Sequence, residues 1–247
     1  MWNFLACLYK HDIIKESIKN LPRNERRRMG MSKVILFQGD SITDCFRSYE
    51  NNEEVGTGYA LMVKGELGFR EPGSYTFLNR GISGNRIVDV YARIKADIIN
   101  LNPDYMSLLI GVNDVWHELG GRHNGVDAVK FEKVYSMLIE ELKEALPELK
   151  IMILEPFVLE GFATKATEQE PDRLETFQKE VALRAAAAKR IAEKYNLEFV
   201  PLQEKLDEAC KQKEASYWLM DGVHPTAMGH WLIKEEWMKA FQKIVTV

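Results

Sequence analysis

Five short apolar runs, each followed by a longer stretch of mixed character, limit this chain to few architectures. They are KVILFQG (33–39), YTFLNRG (75–81), YMSLLIG (105–111), KIMILEPF (150–157) and LEFVPL (197–202). Each is too short for a buried helix and too continuously apolar for a strand with one wet face, so each reads as a strand covered on both sides. The intervening segments carry helical spacing instead. Ile87, Val90, Tyr91, Ile94, Ile98 and Leu101 predict one helix over 85–101, ended before Pro103. FEKVYSMLIEELKEAL (131–146) predicts an amphipathic helix closed by Pro147. Further helices are expected over about 172–195 and from Pro225 to near the end of the sequence. Strands alternating with helices predict an α/β fold with a parallel five-stranded sheet between helical layers.

At 247 residues the chain suits a single α/β domain. Its net charge is −4, and only RNERRR (23–28) is locally basic, so a nucleic-acid partner is not expected. No apolar run reaches the length of a membrane span. The opening MWNFLACLYK lacks the basic start of a secretory signal, so a cytoplasmic location is expected. Cys7, Cys45 and Cys210 are too scattered for a disulfide framework. Met31, just after an arginine run, reads as the natural start, which makes 1–30 an N-terminal extension and 31–247 the domain. The alternative is an amphipathic helix over 11–21 used for packing or association. One long unpatterned segment, 158–177, is expected to be a lid, a substrate wall or an oligomer contact.

In a parallel sheet, chemistry gathers beyond the carboxyl ends of the strands. Those ends read GDSITD (39–44), GISGN (81–85), GVNDVWH (111–117) and EPFVLEG (155–161). Ser41 is either a helix cap or a nucleophile, and the surrounding residues do not form a G-x-S-x-G elbow, because no glycine follows Thr43. A serine nucleophile needs a base and a group to orient that base. Of the five histidines, His224 lies in a polar loop before the last helix, three residues after Asp221 and just before Pro225. Backbone N–H groups of Ser41 and Gly84 and the side-chain amide of Asn113 are candidate oxyanion donors. Asp40 and Trp116 are candidate substrate contacts. A competing reading makes Asp114, His117, Asp221 and His224 the ligands of a metal-dependent hydrolase. A third leaves a catalytically silent carbohydrate-binding protein on the same fold.

The serine of GDSIT, the glycine of GISGN, the asparagine of GVND and the histidine of DGVHP occur in that order, and in this the chain resembles the SGNH (GDSL) hydrolases. The resemblance implies a flavodoxin-like three-layer α/β/α sandwich. It makes Ser41 the nucleophile and first oxyanion donor, Gly84 and Asn113 the further donors, His224 the base and Asp221 its orienting acid. It implies no metal and no organic cofactor. GDSITDC, GTGY (56–59), RGISGN (80–85), IGVNDVW (110–116) and the PF and EG pairs of 156–161 are similar to the cytoplasmic bacterial acetyl-xylan esterases of that family. That closer resemblance implies an ester or acetylated oligosaccharide as substrate and a ring-like homo-oligomer. A lysophospholipase or thioesterase acting on longer acyl chains is the alternative within the family.

Overall fold

The computed structural model describes residues 32–245. The N-terminal extension and the helix expected over 11–21 lie outside the described residues. Five parallel strands, β1 (Lys33–Gly39), β2 (Tyr75–Asn79), β3 (Tyr105–Leu109), β4 (Lys150–Leu154) and β5 (Glu198–Val200), form one sheet in the order β2-β1-β3-β4-β5. This is the flavodoxin-like strand order. The register sets Phe37 of β1 opposite Asn79 of β2, and Gly39 of β1 opposite Leu109 of β3. Three strand ends are therefore nearly level where the sequence places GDS, GISG and GVND. They flank the point at which successive strands begin to be added in the opposite direction, the usual place for a ligand crevice.

Side chains alternate across the sheet, and both faces are dry. Ile35, Phe37, Leu109, Met152 and Val200 pack beneath α2 (Tyr59–Arg70) and the C-terminal helix α10 (Ala227–Val245), around a fully buried Trp237. Leu36, Met106, Leu108, Ile151 and Ile153 face the other way, against α3 (Ile87–Ala92), α4 (Ile94–Asp97), α6 (Ala128–Ala145) and α7 (Arg173–Tyr195). Four shorter helices complete the set: α1 (Ser41–Asp44), α5 (Val112–His117), α8 (Gln203–Cys210) and α9 (Ala215–Trp218).

Two expectations change. The helix read over 85–101 is three pieces, α3, α4 and a 3-10 turn at Ile99–Leu101. Ile87, Val90, Ile94 and Ile98 keep one buried face throughout. The first break falls at Arg93, whose guanidinium turns under the sheet to donate to Gln38 Oε1 (2.7 Å), Gly39 O (3.3 Å) and Arg80 O (2.8 Å). Second, the segment 158–177, expected as a lid, a substrate wall or an oligomer contact, also carries a structural duty in its first half. Its Gly161 lies against the chain so closely that a Cβ there would sit 2.1 Å from the Asp221 carbonyl carbon. Leu159 N–H donates to Gly222 O (2.9 Å) and Ala163 N–H to Asp221 O (3.1 Å). Arg173, opening α7, holds Ala163 O from the other side (3.1 Å). This loop is the bed on which the last functional turn rests.

Candidate active site

Ser41 is the first residue of α1, directly beyond β1. The preceding Asp40 is the helix cap: its Oδ1 accepts from Ile42 N–H at 3.0 Å. Asp40, expected as a substrate contact, is only 1 % exposed; one oxygen makes this cap and the other makes no hydrogen bond to a described residue. Burial pushes its carboxyl up to about 7, against the opposing pull of Ile42 N–H, His224 and Asn113.

Ser41 Oγ lies 2.9 Å from His224 Nε2, and His224 Nδ1 lies 2.6 Å from Asp221 Oδ2. With Asp221 accepting at Nδ1–H, Nε2 is the free acceptor, so the seryl hydroxyl donates to it. The other Asp221 oxygen takes the N–H groups of Val223 (2.9 Å) and His224 (2.7 Å). Burial alone would raise Asp221, but the bonds from the His224 ring and these two amides outweigh it and hold the carboxylate below its usual range. The Asp221 bond raises His224 above the ordinary imidazole value against partial burial, and the charges of Asp221 and Asp40 add to it. The turn is closed by Met220 N–H donating to His224 O (2.9 Å) and by Gly222 at φ +99°.

Donors near this chain are left without a well-formed bond among the described residues. Asn113 lies in the first turn of α5 beyond β3 and is 9 % exposed; its amide faces the Asp40 carboxyl, which it helps to hold down, but its Nδ2 makes no hydrogen bond of good geometry to a described residue. A buried amide without a well-formed bond is costly, which marks a place where an acceptor is expected to arrive. Gly84 stands at φ +80° in the turn 82–85, closed by Asn85 N–H to Ile82 O (3.1 Å). No bond from its own N–H to a described acceptor is formed. A serine hydroxyl on an imidazole–carboxylate pair, with unspent donors at the neighbouring strand ends, can attack an acyl carbonyl and hold the resulting oxyanion.

Trp116 borders this site, its ring 6.4 Å from that of His224 and 5.7 Å, edge-on, from buried Phe177. A cavity of about 590 Å³ opens over Ser41 and His224, with Ser83, Phe46 and Met220 on its walls. His230 also borders it, but burial pushes its pKa down to about 4, and its Nδ1 accepts from Tyr59 N–H (3.2 Å).

The alternative metal set does not assemble. Asp114 is fully buried and accepts from Ile87 N–H (3.1 and 3.2 Å) at the start of α3, and burial raises its carboxyl well above the usual range. His117 Nε2 meets Arg122 (3.2 Å), and burial, then Arg122 and Arg86, lower its pKa. Among the described residues no three His, Cys, Asp or Glu side chains are grouped to hold a metal ion. Cys45 and Cys210 are free thiols, and no described helix is long and apolar enough to cross a membrane.

Fold and site together define a serine carboxylic ester hydrolase. The chain belongs to the GDSL-like lipase/acylhydrolase family, whose pattern matches residues 37–232. It is 33% identical over 229 residues to an acetylxylan esterase of Geobacillus stearothermophilus, spanning 86% of this chain and 95% of that one. The solved structure of Axe2, an acetylxylan esterase from Geobacillus stearothermophilus, superposes with a TM-score of 0.74 at 32% identity, covering 85% of this chain and 94% of that one. A GDSL-like lipase candidate from Parabacteroides merdae gives a TM-score of 0.78 at 36% identity, over 85% and 96%. Solved forms of Axe2 include catalytic mutants in which a serine, an aspartate or a histidine is replaced by alanine, the aspartate three residues before the histidine.

Proposed function

We propose that the protein removes acetyl groups from esterified carbohydrates such as acetylated xylo-oligosaccharides, through an acyl-enzyme on Ser41. The observation that carries the mechanism is the continuous hydrogen-bond path from Ser41 Oγ through His224 to Asp221. In this reading Ser41 Oγ attacks the ester carbonyl carbon while His224 Nε2 takes the seryl proton. The carbonyl oxygen becomes an oxyanion and receives the N–H groups of Ser41 and Gly84 and the Asn113 amide. Collapse expels the sugar hydroxyl, which leaves with the proton from His224. Water then enters, gives a proton to the same nitrogen and attacks the acyl carbon; the bond to Ser41 Oγ breaks as His224 returns that proton to Oγ, and acetic acid leaves and ionises to acetate. Asp221 stays ionised throughout, fixing the ring and balancing the imidazolium.

The substrate class rests on the acetylxylan esterase relative, similar over nearly its whole length. Trp116 beside His224 is suited to bound a small acyl group or to pack against a sugar ring. The test compares acetylated xylo-oligosaccharides with acetyl and octanoyl p-nitrophenyl esters, using Ser41→Ala as the control. Acetate release should exceed octanoate release, and Ser41→Ala should lower kcat by about 10³-fold or more. A clear octanoyl preference overturns the substrate reading, and an active Ser41→Ala overturns the mechanism.

A further inference from the structure

We propose that Asp44 is a positioning residue that fixes the turn presenting the Gly84 N–H to the oxyanion at its place beside Ser41; this rests on the acyl-enzyme reading above. Asp44 closes the same one-turn helix that Ser41 opens, and it is 4 % exposed. Its Oδ2 accepts three bonds: from Ser83 N–H (3.0 Å), Ser83 Oγ (2.8 Å) and Tyr49 OH (2.7 Å). Two of the three hold the residue just before Gly84.

What they hold is the first corner of a tight turn. The turn 82–85 has Ser83 and Gly84 as its central residues, and Gly84 at φ +80° is the type II arrangement. Asp44, gripping both the N–H and the hydroxyl of Ser83, ties this corner, and the Gly84 N–H that follows it, to the helix that carries Ser41.

The anchor is itself tied to the nucleophile. Arg47 Nε donates to Gly81 O (2.6 Å) and its guanidinium lies over the Tyr49 ring at 4.0 Å. A Cβ at Gly81 would come within 2.4 Å of Asp44 N, so the loop and the end of α1 touch at main-chain distance. One seven-residue stretch, 41–47, thus carries the serine and grips the turn that holds the Gly84 N–H. A side chain with these bonds to a neighbouring loop would set kcat, with ground-state binding left alone.

The experiment measures kcat and KM for Asp44→Ala and Asp44→Asn on an acetyl ester, with unfolding midpoints for each and Ser41→Ala as control. Asp44→Ala should lower kcat by about 10- to 100-fold, part of the effect of deleting an oxyanion donor, with KM within about twofold. Asp44→Asn keeps an acceptor oxygen and should recover much of the loss, falling about 3- to 10-fold. An unchanged kcat in a folded Asp44→Ala overturns the proposal. If Asp44→Ala does not fold, Asp44→Asn decides: a normal kcat, or failure to fold in turn, makes Asp44 a stability residue only and also overturns it. An active Ser41→Ala would instead show that the acyl-enzyme reading had failed, whatever Asp44 does.

Discussion

Around Ser41 buried side chains carry most of the bracing, and around His224 most of it is main chain against main chain. Arg93 reaches under β1 to Gln38 and Gly39, Asn79 Nδ2 holds Thr43 O (2.6 Å) and Val55 O (2.9 Å), and Asp40 caps α1. Around His224 amides meet carbonyls over two glycines, Gly161 and Gly222, where no side chain fits, with Thr164 and Arg173 securing the loop behind them. The first arrangement can lose one side chain and keep its backbone path. In the second, any added atom moves the path itself. The serine end should therefore fail chiefly in rate, and the histidine end in rate and stability together.

Asn113→Ala is the strongest probe of this contrast after removal of the nucleophile. It deletes a candidate oxyanion donor, so kcat should fall by about 10²- to 10³-fold. The unfolding midpoint should stay about level, because the amide makes no hydrogen bond of good geometry and only its pull on Asp40 is lost. A large loss of stability would show that the amide has a structural partner after all. Gly161→Ala should act in the other manner. A Cβ 2.1 Å from the Asp221 carbonyl carbon forces the turn away, costing about 1–3 kcal/mol as overpacking. The midpoint should drop by about 2–10 °C, with kcat reduced about tenfold as Asp221 and His224 lose register. An unperturbed enzyme would mean that the bed beneath the turn is softer than the contacts imply.

The smallest expected effect is on pH dependence. His224 works as a base only when neutral, and the Asp221 bond raises its pKa. Activity should fall as pH drops through that raised value, giving a kcat/KM limb above the ordinary imidazole value of about 6.5. In Asp221→Asn the main cause of the shift is removed. What activity remains should then decline at a lower pH than in the parent. A limb that does not move would assign it to another group, of which Asp40, pushed up to about 7, is the nearest candidate.

The contrast also explains what could be read from the sequence. The five strands and the glycine-rich strand ends were legible because a two-sided sheet demands continuous apolar runs, and close main-chain approach demands glycine. Helix α2 was not, since Gly65 and Gly68 interrupt its pattern; both face open space, where packing makes no demand on residue type. The break at Arg93 was hidden because Ile87, Val90, Ile94 and Ile98 hold their spacing through it. The acid beyond the serine, Asp44, is visible in GDSITD, but its grip on Ser83 joins residues 39 apart. Gly161 is an unremarkable letter until Asp221, sixty positions later, comes to rest on it.

The bed under the acid–histidine turn ends at Thr164, buried with its hydroxyl donating to Leu159 O (2.7 Å), and residues 165–172 beyond it are exposed. The segment between β4 and α7 is therefore two pieces with unequal freedom to vary. Its first half is fixed in length by the turn it supports. Its second half is exposed and is tied to the bed near its two ends, by Lys165 N–H to Gly161 O (2.8 Å) and by the Glu170–Arg173 ion pair, so the stretch between those ties offers an engineer the place to lengthen or exchange the chain.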